Sequence, residues 1–332
     1  MKPPDKSAVI IGTGSYVPES VLNNAQLERI VDTSNDWIIT RTGIRERRIS
    51  SPEQASSDLA EAASRRALDD AGIEAAELDA IIVATVTPDY MFPNTSSQLQ
   101  HRLGARPTMA FDVSAACSGF LYALHVGRSL ILAGEAETIL VVGVESLSKI
   151  TDYTDRTTCI LFGDGAGAAI LKPAPGGSGV LGTVLAADGR HGELIRQPAG
   201  GSRMPWSQEA LDTRQQFLKM RGNEVFKIGV RAMETACRQA LEKTGLDPGD
   251  VDILIPHQAN IRIIDALAKR LEVAHENVII NIDRYGNTSA ASVAIGLDEG
   301  QRSGKIKRGD VVLTVAFGSG VTWASSVIRW EK

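Results

Sequence analysis

The 332-residue sequence lacks the features typical of disulfide-rich, zinc-binding, membrane-spanning and nucleic-acid-binding proteins. Its three cysteines are an odd number without paired spacing, so neither a disulfide framework nor a zinc site is encoded. No apolar run approaches the roughly 20 residues of a membrane-spanning helix, and the opening segment lacks the apolar stretch of a signal peptide. The net charge of -5 at pH 7 argues against nucleic-acid binding. We therefore expect a reduced, soluble, cytoplasmic protein without a structural metal.

The remaining composition is that of a globular protein, with 43% hydrophobic and 23% charged residues. Short β-branched runs alternate with amphipathic stretches, a pattern typical of an α/β fold with buried sheets. The expected strands are Ala8–Ile11, Ala80–Val86, Ile139–Val144, Val180–Ala186, Asp252–Ile255, Val278–Asn281, Val311–Val315 and Ser325–Trp330. Two expected helices, Ser56–Asp70 and Asn223–Lys243, are each followed by a glycine that predicts their end.

An internal repeat divides the chain. The segment 67–73 (ALDDAGI) resembles 240–246 (ALEKTGL) at an offset of 173 residues, and an apolar strand follows each copy. The Pro- and Gly-rich stretch Lys172–Gly179 lies between the copies and is typical of a linker. We therefore predict two duplicated halves, residues 1–175 and 176–332.

Three polar residues follow expected strands, where ligands bind in open α/β sheets. Cys117 precedes an expected helix, whose N-terminus would stabilise a thiolate, whereas Cys159 and Cys237 lie in apolar patterns typical of a core. His257 and Asn287 complete a set of residues suited to nucleophilic catalysis. Spacing alone leaves a cysteine hydrolase open, and a buried cysteine without a catalytic role is the plainer alternative for an arbitrary position.

Two glycine-rich segments need a different explanation from nucleotide binding. Gly12–Tyr16 lacks the third glycine of a dinucleotide fingerprint, and Gly163–Gly167 lacks the Lys-Ser/Thr of a phosphate-binding loop. We interpret both as sites of close backbone packing. The sequence therefore predicts no nucleotide cofactor and no metal site.

Four motifs carry a family resemblance over essentially the whole chain: SAACSGF (114–120), PHQAN (256–260), YGNTSAAS (285–292) and AFGSG (316–320). Together they resemble the β-ketoacyl-[acyl-carrier-protein] synthase III family of the thiolase-like superfamily. The resemblance implies a five-layered αβαβα fold built from two duplicated halves, which agrees with the repeat. It also implies a homodimer.

The resemblance further implies an acyltransferase that starts fatty-acid synthesis. Cys117 would accept an acyl group from a short primer acyl-CoA, with acetyl-CoA as the expected primer, and the oxyanion donors would come from the backbone of Cys117 and Ser319. Malonyl-acyl carrier protein would then lose CO₂, while His257 and Asn287 stabilise the resulting enolate. Thiolases are disfavoured because no cysteine follows Cys237, and elongating synthases because they carry a second histidine in place of Asn287. A type III polyketide synthase or another starter-unit acyltransferase is the nearest alternative, and a non-catalytic thiolase-like binding protein a more distant one.

Binding residues follow from the same resemblance. Trp37 and Arg41, one helical turn apart, match a pair that sandwiches the adenine of CoA. The other CoA and pantetheine positions are Thr33, Arg156, Asn223, Phe226, Ala259 and Asn260. Phe92 matches a position that reaches from the partner subunit to close the acyl pocket. Helical spacing places Arg262, Lys269 and Arg270 on one face, which with Lys227 would dock the acidic carrier protein; a solvated surface is the alternative.

Overall fold

Two mixed β-sheets frame the structure, a computed structural model that describes residues 6–332. Its strands are β1 (Lys6–Tyr16), β2 (Val21–Asn23), β3 (Glu46–Arg48), β4 (Ala80–Ala84), β5 (Met109–Val113), β6 (Ile139–Glu145), β7 (Gly165–Pro175), β8 (Gly179–Ala187), β9 (Ile195–Arg196), β10 (Lys219–Met220), β11 (Ile253–Pro256), β12 (Val311–Gly318) and β13 (Thr322–Arg329). The first large sheet has the order β1-β7-β6-β4-β5 and the second the order β11-β12-β13-β8. Strands β4, β5 and β6 are parallel, as are β11 and β12.

Helices cover both sheets and fill the space between them. They are α1 (Asn24–Leu27), α2 (Asn35–Thr42), α3 (Ser56–Ala71), α4 (Thr95–Leu103), α5 (Gly119–Ala133), α6 (Gln208–Asp212), α7 (Gly222–Thr244), α8 (Ile261–Arg270), α9 (Ile282–Tyr285) and α10 (Ala291–Arg302). Helices α3 and α4 pack on the outside of the first sheet, α5 and α10 between the sheets, and α7 with α8 outside the second. The five expected αβαβα layers are confirmed.

The apolar pattern accounts for this arrangement. Strands β4 and β6 are buried along their whole length, since helices lie on both of their faces. Helix α3 ends at Gly72 and α7 at Gly245, and both glycines are left-handed, with φ of 67° and 72°. The predicted helix ends are therefore confirmed.

One predicted strand is wrong. Residues Val278–Asn281 form only an isolated bridge, from Val278 to Leu254, although they are apolar and largely buried. The side chain of Gln258 takes the place of a neighbouring strand, because its Nε2 donates to the Ile279 carbonyl and its Oε1 accepts from the Asn281 N–H. The chain can then turn directly into α9.

The predicted linker is largely a strand. Lys172–Pro175 are the last residues of β7, and β8 begins at Gly179, so residues 176–178 alone connect the first sheet to the second. Strand β7 escaped prediction because it begins with Gly and Ala, whose small size lets α10 pack directly against it: a Cβ at Gly167 would lie 2.5 Å from that of Ala294. The division at residue 175 stays a prediction.

Both glycine-rich segments pack backbone against backbone, as expected. A Cβ at Gly12 would lie 2.5 Å from the Ala67 carbonyl oxygen on α3, and one at Gly163 would lie 2.2 Å from the Tyr285 carbonyl oxygen. Any side chain at these positions would push neighbouring elements apart.

The expectation that no apolar run approaches the length of a membrane span is wrong for helix α5 and the turn before it. Within the described residues, Ala116–Ala133 is one stretch long and apolar enough to cross a membrane by length and composition. Half of this stretch is buried, and α5 packs between the two sheets. We therefore regard it as the central core helix.

Candidate active site

Two of the three predicted reactive residues follow parallel strands, and the third lies between two helices. Cys117 follows β5, in a 3₁₀ turn (Ala116–Ser118) that leads into α5, and His257 follows β11. Asn287 lies between α9 and α10, where its N–H donates to the Leu161 carbonyl at 2.8 Å and its carbonyl accepts from Gly163 at 3.0 Å. Asn287 is thus held by the segment that precedes β7.

A cavity of about 1170 Å³ brings the three residues together. This volume suits a large cofactor-sized ligand. Of the predicted site residues, those that line the cavity are Trp37, Arg41, Cys117, Asn223, Phe226, Lys227, His257, Ala259, Asn260, Arg262, Asn287 and Ser319.

Five predicted residues do not line this cavity: Thr33, Phe92, Arg156, Lys269 and Arg270. The first is partly buried, and its hydroxyl oxygen has no hydrogen-bond partner. Phe92 is 86% exposed, so its ring closes nothing within its own chain. The remaining three are surface cations.

Strained backbone surrounds the nucleophile position. Among the described residues, five non-glycine residues have positive φ, and three of them are Ala116 at 47°, Ser289 at 46° and Val321 at 50°. Ala116 directly precedes Cys117, while Ser289 lines the same cavity and Val321 closes the turn after Ser319. Such conformations persist where the surrounding structure imposes them, and they cluster at functional sites.

Burial governs the protonation of the two reactive groups. Desolvation raises the pKa of the Cys117 thiol to about 12, a hydrogen bond with Ser289 opposes this, and the Glu145 charge adds to it. These effects favour the thiol in the free protein, and the expected stabilisation of a thiolate by the helix N-terminus stays a prediction. Desolvation lowers the pKa of His257 to about 3, so its imidazole is neutral at physiological pH, as expected.

Asn287 is oriented by its neighbour. Its side-chain oxygen accepts from the Ser289 N–H at 2.9 Å, which leaves the amide NH₂ as the free end of this cavity-lining side chain. Asn287 is thereby arranged as a hydrogen-bond donor.

The backbone beside Cys117 is closely packed by the C-terminal glycine turn. A Cβ at Gly318 would lie 2.6 Å from the Cys117 nitrogen, so only glycine allows this approach. The Thr322 hydroxyl donates to the Ala115 carbonyl at 3.0 Å and fixes the two segments together. The two predicted oxyanion donors, the N–H groups of Cys117 and Ser319, therefore belong to touching segments.

Sequence reasoning missed a buried carboxyl beside this site. Glu145, the last residue of β6, is fully buried, and its carboxylate accepts hydrogen bonds from Thr87 (2.6 Å), Ser289 (3.1 Å) and Val86 N–H (3.2 Å). Burial raises its pKa to about 7. An acidic residue at the end of an entirely apolar strand was the available signal.

Trp37 lies beside two cations rather than one. The guanidinium carbon of Arg156 is 5.1 Å from the ring centroid and that of Arg41 is 5.7 Å away. Asn260 connects this region to α8, since its side chain donates to the Arg41 carbonyl and caps the helix by accepting from Arg262 N–H. The Arg262 guanidinium in turn lies 5.6 Å from the centroid of Phe226.

The four predicted docking cations are all exposed. Lys227 and Arg262 lie at the cavity, whereas Arg270 forms an ion pair with Glu234 at 2.6 Å. The four positions are therefore not equally available to a partner. Within residues 6–332, no group of three or more His, Cys, Asp or Glu side chains is arranged to hold a metal ion.

Comparison with known proteins places this geometry in a family. The family described as 3-oxoacyl-[acyl-carrier-protein] synthase III matches residues 111–189, and its C-terminal counterpart matches 241–330. The chain is 56% identical over 326 residues to the β-ketoacyl-[acyl-carrier-protein] synthase III of Caldanaerobacter subterraneus subsp. tengcongensis, covering 98% of both chains.

Solved structures agree. The crystal structure of 3-oxoacyl-[acyl-carrier-protein] synthase III from Aquifex aeolicus VF5 has a TM-score of 0.90 at 46% identity, covering 97% of this chain and 100% of that one. A priming β-ketosynthase from the R1128 polyketide biosynthetic pathway has a TM-score of 0.92 at 36% identity, covering 100% and 98%. The chain belongs to the β-ketoacyl-[acyl-carrier-protein] synthase III family.

Proposed function

We propose that this chain catalyses the decarboxylative Claisen condensation of a short primer acyl-CoA with malonyl-acyl carrier protein, and so starts fatty-acid synthesis. The observation that carries the proposal is the opening of Cys117, His257 and Asn287 into one cavity of about 1170 Å³ in a member of this family. The family is one of acyltransferases, and acetyl-CoA is the primer we propose.

Cys117 is the proposed nucleophile. Its sulfur attacks the thioester carbonyl of the primer, and CoA leaves. The oxyanion is stabilised by the N–H groups of Cys117 and Ser319, which lie on segments held in contact by Gly318. An acyl thioester of the enzyme results.

His257 and Asn287 are the proposed donors for the second step. Loss of CO₂ from the malonyl group leaves an enolate, whose oxygen accepts from the neutral imidazole and from the Asn287 amide. The lowered pKa of His257 supports this role, since the imidazole stays uncharged at neutral pH and forms no imidazolium–thiolate pair with Cys117. The carbanion then attacks the acyl group on Cys117. Protein and substrates supply every group in these steps, so we propose no cofactor.

CoA is proposed to enter between α2 and α8. Trp37, flanked by Arg41 and Arg156, supports stacking of the adenine, and Asn223, Phe226, Ala259 and Asn260 line the path inward. Thr33, whose hydroxyl is unpartnered, is a further proposed contact. Carrier protein is proposed to dock on Lys227 and Arg262 at the cavity and on Lys269 and Arg270 further along α8.

A homodimer in the cytoplasm is part of the proposal. Tyr90, Met91 and Phe92 are 60%, 78% and 86% exposed, an apolar tip that favours burial against a partner. Strand β5 lies at the edge of its sheet, with Met109 38% exposed, and offers a pairing edge beside this tip. In such a dimer, Phe92 would enter the partner's acyl pocket.

Mass spectrometry of the intact enzyme tests the proposal. Acetyl-CoA alone should add one acetyl group, on Cys117, and malonyl-carrier protein should then release CO₂ and remove it. Cys117→Ser is the acylation-defective variant, and Cys159→Ser is the matched control, because Cys159 is buried outside the cavity. Hydrolysis of the thioester without condensation would favour a cysteine hydrolase.

The likeness to a polyketide-priming synthase gives a second candidate pathway. The chemistry is the same, and the primer and the carrier protein differ. Comparing kcat/KM with carrier proteins of the two pathways decides between them.

A further inference from the structure

We propose that Gln258 is a positioning residue that places His257 and Asn287 so that both donate to the same enolate oxygen. The inference rests on the proposed function and adds one residue to it. Gln258 directly follows His257, is 1% exposed and does not line the cavity. It therefore acts on the two donors through the backbone and does not touch the substrate.

Every hydrogen-bonding group of the Gln258 amide is used inside the protein. Its Nε2 donates to the Pro256 carbonyl at 2.8 Å and to the Ile279 carbonyl at 3.1 Å. Its Oε1 accepts from the N–H groups of Asn281 at 3.0 Å and Ile282 at 3.2 Å. A glutamine amide offers two donor hydrogens and an oxygen with two lone pairs, so this side chain has no capacity left. A buried polar group that is fully satisfied in this way is rigid and fixes its partners.

The Gln258 side chain fixes one end of the segment that carries Asn287. Helix α9 begins at the two N–H groups that the Gln258 oxygen binds, and its other end, at Gly286, directly precedes Asn287. The Asn281 side chain does not cap this helix, since its Nδ2 donates to Glu299 at 2.9 Å. Gln258 therefore supplies the cap that α9 would otherwise lack.

The Gln258 backbone fixes the other end of the same segment. Its N–H donates to the Ser292 hydroxyl at 2.8 Å, in the first turn of α10, the helix that follows Asn287. One residue thus binds both flanks of Asn287 and is the chain neighbour of His257. We therefore expect the distance between the two donors to depend on the bonds of Gln258.

The imidazole of His257 depends on this backbone because its Nδ1 lacks a hydrogen bond. Within the part of the chain that the structure describes, this buried nitrogen has no partner. The His257 N–H donates to the Val315 carbonyl at 2.7 Å, and its carbonyl accepts from Ala259 N–H at 3.0 Å. The position of the ring is thus determined by packing and by the main chain at residues 256–259, which the Gln258 amide closes into a turn.

Positioning matters for one half-reaction more than for the other. Two donors stabilise one oxygen only when both lie within hydrogen-bonding distance of it. A misplacement of about 1 Å at a reacting group costs about 10² in rate. The proposed oxyanion donors of acylation are instead the N–H groups of Cys117 and Ser319. Loss of the Gln258 bonds should therefore slow decarboxylation and spare acylation.

Gln258→Met is the first test, because methionine is also long and unbranched but has no amide. We expect CO₂ release from malonyl-carrier protein to fall by about 10²-fold, while acetylation of Cys117 by acetyl-CoA, followed by mass spectrometry, stays close to that of the parent. Equal losses in the two half-reactions would overturn the proposal and leave the proposed function standing. Absence of acyl-Cys117 in the parent enzyme would contradict the proposed function itself.

A double-variant cycle separates positioning from a loss of stability. In the Asn287→Ala background, Gln258→Met should slow decarboxylation by less than about tenfold, because only one donor is left to be aligned. Losses that simply multiply would refute the proposal. If Gln258→Met does not fold, Ser292→Ala serves in its place: it removes the acceptor of the Gln258 N–H alone and should show the same coupling to Asn287→Ala with a smaller loss.

Asp298 is the matched control. It lies in α10, as Ser292 does, is buried, accepts from the hydroxyls of Thr13 at 2.8 Å and Ser15 at 2.6 Å, and does not line the cavity. Asp298→Ala should lower Tm and leave the ratio of the two half-reaction rates unchanged. A change in this ratio as large as that in Gln258→Met would show that any loosening of α10 produces it, and the positioning role would be refuted.

Discussion

Replacing Asn287 by Asp separates the two half-reactions with almost no change in shape. The Asn287 side-chain oxygen accepts from the Ser289 N–H at 2.9 Å, and a carboxyl oxygen can accept in the same place. The other end changes from an NH₂ donor to an acceptor. The variant thus removes one of the two proposed enolate donors and leaves the backbone contacts of residue 287 intact.

The expected loss of decarboxylation rate follows from the removal of one of the two proposed enolate donors. Loss of one oxyanion donor costs about 2.7–4 kcal/mol, or 10²–10³ in rate, and a negative oxygen facing the enolate adds repulsion. We therefore expect decarboxylation of malonyl-carrier protein to fall by about 10³-fold or more. Acyl transfer from CoA to Cys117 should fall far less, because its proposed oxyanion donors are backbone N–H groups.

The pH dependence gives a second signature. Asn287 is 7% exposed, so burial should raise the pKa of a carboxyl at this position above the usual value of about 3.9. The protonated carboxyl regains a donor, and decarboxylation by the variant should recover in part as the pH falls from about 8 to about 6. The parent enzyme should show no such recovery.

Two assays check this: CO₂ release from malonyl-carrier protein and acylation of Cys117 by mass spectrometry. Asn24→Asp is the control, since Asn24 is also buried but lies outside the cavity; its oxygen accepts from the Arg47 guanidinium at 2.9 Å, and loss of the Nδ2 bond to the Ile44 carbonyl should reduce stability alone. It should retain both activities. Equal losses in the two half-reactions of Asn287→Asp, or normal decarboxylation, would refute the division of roles.

Three further predictions concern other parts of the site. Arg262→Ala should raise the apparent KM for malonyl-carrier protein up to about fivefold at low salt. Arg270→Ala should raise it less, because Arg270 is already paired with Glu234. Equal KM values at low and high salt would exclude this face as the docking surface. Phe92→Thr should move the primer preference toward longer chains, by up to about 0.8 kcal/mol per added methylene, in a kcat/KM series of saturated acyl-CoAs; an unchanged series would exclude Phe92 as the gate. Because burial lowers the pKa of His257 to about 3, decarboxylation measured alone should show no inflection near pH 6.5, and an inflection there would mean that His257 is solvated.

The layered fold was predictable because its signals are local and repeated. Apolar runs marked β4, β6 and β12, and glycines marked the ends of α3 and α7. The failures have physical causes in tertiary contacts. Gln258, remote from Val278–Asn281 in sequence, supplies the hydrogen bonds that a strand partner would have given. Strand β7 begins with small residues rather than β-branched ones because α10 packs directly against it, so the sequence pattern does not indicate a strand there.

The site shows the same division between local and tertiary information. Cys117, His257 and Asn287 could be found because each stands in a distinctive motif after a predicted strand or turn, and the structure places all three at one cavity. Their protonation could not be found in this way. The sequence favours a thiolate through the helix N-terminus at Cys117, whereas desolvation in the folded chain raises the pKa of the thiol.

Glu145, the buried carboxyl that the sequence analysis missed, shows the limit of motifs in the same way. Its carboxylate accepts from hydroxyls and an N–H contributed by the loop after β4 and by Ser289. These partners lie about 60 and 144 residues away in sequence, at separations no motif spans. The residue could be noticed from sequence as an acid ending an apolar strand, but its neighbours, and with them its chemistry, exist only in the folded chain.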